Sequence, residues 1–294
     1  MAPSSPLREG LFQEGVREIE SFGFRVVFDE GIGARERYLA GTDERRAAEI
    51  HRWYADPAVR AVFCARGGYG APRLMPLLDA ALLLRDPKPL VGFSDATVLL
   101  HFLLDRCGFP GVHGPMVAWD IRQGRERYDR DLLLKLLTSP EPAGRIVWPA
   151  LSVLRPGRAS GPLSGGCLSL LASLAGTPWA PVTKGSILLL EDWRAKPYQL
   201  DRSLQQLRHA GLLTGIRGIV FGEMNECRQT EDQGYTIEEV LLDCLRGIDV
   251  PILFGFPAGH TAGIHRPLPL GIRVTIEADP AAPAVVLDEA LVTE

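Results

Sequence analysis

No apolar run in this chain reaches the ~18 residues that a membrane-spanning helix needs, and the opening Met1-Ala2-Pro3-Ser4-Ser5-Pro6 lacks the basic region and apolar core of a signal peptide. A membrane is therefore not an expected partner, and the cytoplasm is the expected compartment. The five cysteines, Cys64, Cys107, Cys167, Cys227 and Cys244, form no Cys-x-x-Cys pair, and most sit inside apolar runs. An odd, dispersed set of this kind argues against a disulfide framework and for reduced, buried thiols. Basic blocks are also missing: 32 Lys and Arg against 36 Asp and Glu leave a dispersed net charge of −4, so a phosphate backbone has nothing to grip and nucleic acid is not expected. There is no His-x-x-x-His, no His-Glu-x-x-His and no clustered Cys/His set, so no metal is assigned.

What the chain does have is core material. With 46% hydrophobic residues over 294 positions, it can fill two modest domains or one large one. Helical spacing runs from Pro6 to Phe22, and Phe24 to Phe28 reads as a short strand. A helix capped by Thr42 or Asp43 follows, then a strand from Ala61 to Ala65, a helical pattern from Pro72 to Leu84, and a strand ending at Ser94. Strands and helices that alternate in this way predict a parallel sheet wound with helices. Gly111 to Val117 reads as a further strand and Arg125 to Leu137 as a helix. The Pro-, Gly- and Arg-rich stretch 140–162 is read as a linker, which divides the chain into domains at 1–139 and 163–294. The second domain reads as mixed α/β, with strands at Ser186 to Leu190, Gly218 to Phe221, Pro251 to Phe254, Arg273 to Glu277 and Ala284 to Leu287. Its helices are expected up to about Ala175, over Pro197 to Leu213 and over Thr236 to Leu245.

The chemistry is expected at strand ends. In Gly92-Phe93-Ser94-Asp95-Ala96 an apolar strand stops and an amphipathic helix starts at once, so Ser94 falls on a sharp corner of the kind a nucleophile elbow uses. Gly92 and Ala96 suit such a corner because bulk at either place would collide. The same residues also suit a plain helix N-cap, and these positions alone leave both readings open. The loop Arg66-Gly67-Gly68-Tyr69-Gly70 fails the dinucleotide template, which would require glycine at Arg73, and is read instead as a place for backbone N–H groups beside Ser94.

A serine nucleophile needs a base and usually an acid to orient it. Glu191 closes one apolar strand, and His260 follows Pro257-Ala258-Gly259 just beyond another. Asp192 and Glu223 are rival acids, while His113, His265 and His101 are rival bases.

Taken in order, Arg66-Gly67-Gly68-Tyr69-Gly70, Gly92-Phe93-Ser94-Asp95, Leu190-Glu191-Asp192 with Tyr198 and Asp201-Arg202, and Gly259-His260 before Leu268-Pro269-Leu270-Gly271 resemble the LD-carboxypeptidases. These belong to a serine peptidase family that also includes the microcin C immunity peptidases. The resemblance implies Ser94 as nucleophile, His260 as base and Glu191 as its orienting acid, with the amides of Gly68 and Asp95 as the oxyanion hole. It implies an α/β fold of two domains with the active site between them, commonly a homodimer, needing no cofactor. The implied substrate is a small peptide, a murein stem peptide that loses its terminal D-alanine. A peptidyl nucleotide cleaved by a microcin-type enzyme is the alternative, and a non-catalytic peptide-binding homologue is a third reading. Recognition of the terminal carboxylate calls for an arginine or a backbone nest; Arg66 is nominated, with Gly67 and Tyr69 as further substrate contacts.

Two departures from the family pattern carry expectations. The apolar strand that usually precedes Ala2-Pro3-Ser4 is missing here, so the expectation is either that the start of this chain lies inside the natural protein or that the neighbouring strand has a bare edge. Cys167 stands where the family usually has asparagine, which removes a hydrogen-bonding amide.

Overall fold

A computed structural model describes residues 1–228 and 234–293. They form two compact units: Met1–Leu137 with Gly263–Pro269, and Thr138–Ala262 with Leu270–Glu294. No helix among the described residues is long and apolar enough to cross a membrane. All five cysteines are buried free thiols, and burial pushes the Cys64 thiol up to about 12, which keeps it protonated and unreactive.

In the first unit α1 is Glu9–Glu20, α2 Asp43–Ala55, β1 Val62–Phe63, α3 Ala80–Leu83, β2 Leu90–Gly92, α4 Thr97–Cys107, β3 Gly111–His113 and α5 Arg130–Thr138. The strands β1, β2 and β3 pair in parallel, as alternation with helices predicts. Thr42 caps α2 by accepting from the Arg45 N–H at 3.2 Å, and the helix buries Ala47, Ile50 and Tyr54 together with two charged residues, Arg46 and Glu49. Both charges are used. The Arg46 guanidinium donates to the Pro3 carbonyl, to the Gly70 carbonyl at 2.9 Å and to Asp43, while Glu49 accepts from the Ala2 N–H at 3.2 Å.

That clamp explains why the edge of β1 is not bare. The Met1 amino group donates to the Phe63 carbonyl at 2.9 Å, and Ala65 donates to the Met1 carbonyl at 2.7 Å, so the opening residues occupy part of the edge. Other expectations for this unit also need correction. Phe24 to Phe28 forms no strand; Phe28 instead meets the Phe12 ring of α1 edge-on at 5.1 Å. The expected helix from Pro72 to Leu84 is two 3₁₀ turns and the short α3, because Pro72 and Pro76 forbid a continuous ladder. The third strand stops at His113, and α5 starts only at Arg130, after a 3₁₀ segment interrupted by Gly124 at φ 73°.

The second unit contains β4 Gly144–Ile146, β5 Ser152–Arg155, β6 Gly157–Cys167, α6 Leu168–Leu174, β7 Ile187–Glu191, α7 Pro197–His209, β8 Gly218–Gly222, α8 Ile237–Cys244 and β9 Ile252–Phe256. After β9 the chain supplies β10, Leu268–Leu270, which lies next to β3 in the first unit's sheet, and then β11 Arg273–Ala278 and β12 Ala284–Leu287. The second sheet has eight strands in the order β4-β12-β11-β6-β7-β8-β9-β5. Its centre, β6 through β9, is parallel, and its flanks are antiparallel. The fully buried β7 and β8 read as unbroken apolar runs because both faces are covered. Helix α7 turns Leu200, Leu204 and Leu207 inward.

Residues 140–162 are not a linker. They hold β4, β5 and the first half of β6, and the chain first passes from one unit to the other between Leu137 and Thr138, in the last turn of α5. The edge strands β4 and β5 and the partly exposed start of the interior strand β6 tolerate Gly, Pro and Arg, so their composition imitates that of a connector.

Arg46→Ala removes the partner of two buried carbonyls and of Asp43; unfolding in urea should show a loss of about 3 kcal/mol.

Candidate active site

Strand β2 ends at Gly92, Phe93 stays extended, and Ser94 then takes φ 59° in a 3₁₀ turn, Ser94–Ala96, that runs directly into α4. A left-handed non-glycine residue costs of order 1–3 kcal/mol and persists only where its surroundings over-determine it. The surroundings are tight. A Cβ on Gly92 would lie 2.9 Å from both Ala96 Cβ and Cys64 Sγ, and one on Gly67 would lie 3.0 Å from Ser94 Cβ and 3.1 Å from its Oγ. The glycine loop therefore rests directly on Ser94.

The loop is itself held on two sides. Gly68, at φ 110°, leaves no space for a side chain, since a Cβ there would come 2.3 Å from Ser5 Oγ; that same hydroxyl accepts from the Tyr69 N–H at 3.1 Å. Among the described residues neither the Gly67 nor the Gly68 N–H donates a hydrogen bond. From the other side, the fully buried Asp95 side chain accepts from the Ala71 N–H at 2.8 Å, bracing the corner against the loop. Burial pushes the Asp95 carboxyl above its ordinary range, and the Ala71 amide opposes that shift. From the sequence the backbone of Asp95 is expected to be an oxyanion donor and its side chain only a rival helix cap; the bond to the Ala71 N–H was not legible there.

In the second unit Glu191 ends β7 at 1% exposure. Its Oε2 accepts from the His260 backbone N–H at 3.0 Å and lies 2.8 Å from His260 Nδ1. Two glycines make room for it: a Cβ on Gly259, at φ 75°, would come 2.4 Å from Glu191 Cδ, and one on Gly222 would come 2.6 Å from Glu191 Cβ. Trp193 lies flat on the imidazole, with ring centroids 5.6 Å apart and planes within 9°. With Nδ1–H donated to the carboxylate, Nε2 is the nitrogen that carries the acceptor lone pair. Sequence reasoning paired Glu191 with His260 but missed Trp193 and Gly222, whose only signal is proximity to strand ends.

Each rival residue has a different partner. Asp192 accepts from the Ser169 and Trp193 N–H groups at 2.9 and 2.8 Å, which satisfies the N-terminus of α6. Glu223 accepts from Ala262 at 2.8 Å. His101 faces Asp105 of its own helix at 3.1 Å. His113 and His265 are fully buried in the first unit around Phe93, with His265 Nδ1 3.4 Å from Asp120. Of the nominated substrate contacts, Arg66 is half-buried and donates to the Pro6 carbonyl at 3.0 Å, Gly67 lies on Ser94, and Tyr69 is exposed. Cys167 is buried with its sulfur 3.4 Å from the Ser169 hydroxyl. The amide expected from an asparagine there is absent, and Asp192 serves the helix end instead.

Gly259→Ala forces strain at a left-handed position and a clash with Glu191, so thermal unfolding should show a loss above ~1 kcal/mol, whereas Gly10→Ala, with nothing within 4 Å, should be neutral or slightly stabilising. The folded-state pKa of Asp95 lies above its ordinary 3.8, so the native state holds the proton more tightly and stability falls as pH rises from 3.8 through the folded-state value. Asp95→Asn should flatten that fall in urea titrations across the same window.

The chain matches the LD-carboxypeptidase N-terminal domain over residues 1–114 and the LD-carboxypeptidase C-terminal domain over residues 160–276. It is 34% identical to the murein tetrapeptide carboxypeptidase of Pseudomonas aeruginosa over 289 residues, which cover 94% of this chain and 92% of that protein. The crystal structure of muramoyltetrapeptide carboxypeptidase from Oxalobacter formigenes matches with a TM-score of 0.87 and 31% identity over 99% of each chain. The microcin C7 self-immunity protein MccF of Escherichia coli is 26% identical, over 95% of this chain and 88% of that one. A structure of MccF in complex with aspartyl sulfamoyl adenosine gives a TM-score of 0.90 at 24% identity, covering 100% of this chain and 96% of that one, a likeness of fold. With both domain types matched in one chain, as the motifs predicted, and a relative above 30% identity along nearly its whole length, the protein belongs to the LD-carboxypeptidase family.

Proposed function

We propose that the protein is a serine carboxypeptidase that hydrolyses the amide joining an L-configured centre to a terminal D-amino acid, releasing D-alanine from murein tetrapeptide in cell-wall recycling. The observation that carries this reading is the left-handed backbone of Ser94 at a strand-to-helix corner, a strained position that a helix cap does not need. The substrate follows the Pseudomonas relative named for it.

In the proposed mechanism Ser94 Oγ attacks the scissile carbonyl as His260 Nε2 takes its proton, and Glu191 holds Nδ1–H so that Nε2 stays the acceptor. The amides of Gly68 and Asp95 receive the developing oxyanion, and one such donor is worth about a hundred- to a thousandfold in rate. His260 returns the proton to the leaving D-alanine nitrogen; water, deprotonated by the same imidazole, then releases the acyl group and regenerates Ser94. Turnover requires Ser94 Oγ to come within hydrogen-bonding reach of His260 Nε2. Arg66 is the proposed partner of the terminal carboxylate, with Gly67 and Tyr69 beside it. Because serine and histidine supply nucleophile and base, activity is expected to persist in EDTA. Buried free thiols support a reducing, cytoplasmic location, and the family resemblance supports a homodimer.

Ser94→Ala should keep its unfolding midpoint, lose at least ~10⁴-fold in turnover and fail to label with a fluorophosphonate; cleavage at the wild-type rate rejects the assignment. Mass spectrometry of products from murein tripeptide, tetrapeptide and a peptidyl adenylate should show loss of D-alanine from the tetrapeptide. Cleavage of the adenylate alone would transfer the protein to the microcin-type reading.

A further inference from the structure

We infer that Trp193 is a positioning residue that sets the plane of the His260 imidazole, and that Glu226 holds Trp193 in place for that task. The inference rests on His260 as the proposed base. The hydrogen bond from Nδ1 to Glu191 fixes one corner of the ring but does not by itself set the tilt about the line of that bond. Tilting swings Nε2, the atom that must meet the serine proton, through an arc. A flat surface against one face of the imidazole removes the freedom, and Trp193 supplies one, nearly parallel at 9° and offset at 5.6 Å, the stacked geometry that aromatic pairs favour.

Trp193 is itself held in place. Its backbone N–H donates to Asp192, and the Arg194 guanidinium lies over the indole, 4.4 Å from the ring centroid. Arg194 is tied in turn to the loop after β8: its backbone N–H donates to the Asn225 carbonyl at 3.0 Å and its Nε to Glu226 at 2.8 Å. The Arg194 hydrogen bond and charge, with a smaller contribution from the Trp193 side chain, hold the Glu226 carboxyl below its ordinary range. Arg194, Met224 and Glu226 all take left-handed backbone angles, at φ 58°, 47° and 56°. Three strained non-glycine residues meet in the two loops that build this wall, and strain of that kind is kept where geometry is needed. Arg194 and Glu226 are largely exposed, so packing against the sheet below does not account for their backbone angles, whereas Met224 is a buried core residue.

The test is steady-state kinetics on the murein tetrapeptide, with Ser94→Ala as reference. Trp193→Ala should lower kcat by about ten- to a hundredfold, the range that misplacing a catalytic group produces, with KM within about twofold. Trp193→Phe, which keeps a flat face, should recover kcat to within about threefold of wild type, and Glu226→Gln should lower it about threefold. A wild-type kcat for Trp193→Ala overturns the inference, as does a raised KM at unchanged kcat, which would make the indole a substrate contact, or failure of phenylalanine to restore the rate. If Trp193→Ala does not fold, Glu226→Gln at an exposed site decides, and an unchanged kcat overturns the inference. An active Ser94→Ala would instead remove the catalytic reading beneath it.

Discussion

A carboxylate buried to 1% exposure at the end of an apolar strand organises the second unit. Unpaired, such a group costs several kcal/mol. Glu191 has Ile187 to Leu190 buried behind it, and one of its oxygens meets both the backbone N–H and the Nδ1 of His260. The pairing determines much else. Position 259 must be glycine to let the chain pass the carboxylate, position 222 must be glycine to let the neighbouring strand approach, and the imidazole is delivered in the tautomer that leaves Nε2 as acceptor. The two residues that follow Glu191 extend the arrangement: Asp192 satisfies the start of α6 and Trp193 covers the ring.

The first unit solves a similar problem from the opposite direction. There the costly element is backbone, a left-handed serine and a loop of glycines, and buried charges brace it. Asp95 ties the corner to the loop at Ala71, while Arg46 ties Gly70 to the opening residues of the chain. Each charge is engaged through hydrogen bonds to the main chain, which is how a buried ionised group becomes tolerable and also how a loop acquires one shape.

Fold alone does not separate the family's activities. The microcin immunity protein MccF shares the whole architecture at 24% identity, and the same scaffold in other relatives carries a murein carboxypeptidase name. Such activities are separated by the chemistry of the site and not by the scaffold. In this chain Arg66, Gly67 and Tyr69 are the positions nominated for substrate contact; Arg66 is half-buried and Tyr69 exposed.

Periodicity and strand ends in the sequence were enough for the α/β class, for the inward face of α7 at Leu200, Leu204 and Leu207, and for nominating Ser94, Glu191 and His260, because these follow from local spacing and from the cost of placing polar groups after apolar runs. The small residues flanking Ser94 were legible for the same reason. Two edge strands and the start of an interior one were not: residues 140–162 carry a connector's composition yet hold β4 and β5, the edges of the sheet, and the first half of β6, since a partly exposed strand is specified by the neighbour it pairs with. Local spacing could not rank Glu191 above Asp192 and Glu223, or His260 above His113 and His265, whose types and settings are alike along the chain; within the sequence only the resemblance to the LD-carboxypeptidases singled them out. Only tertiary structure decided those pairings, because which donor a carboxylate meets depends on where residues 69 positions apart are brought together, and no local preference encodes that distance.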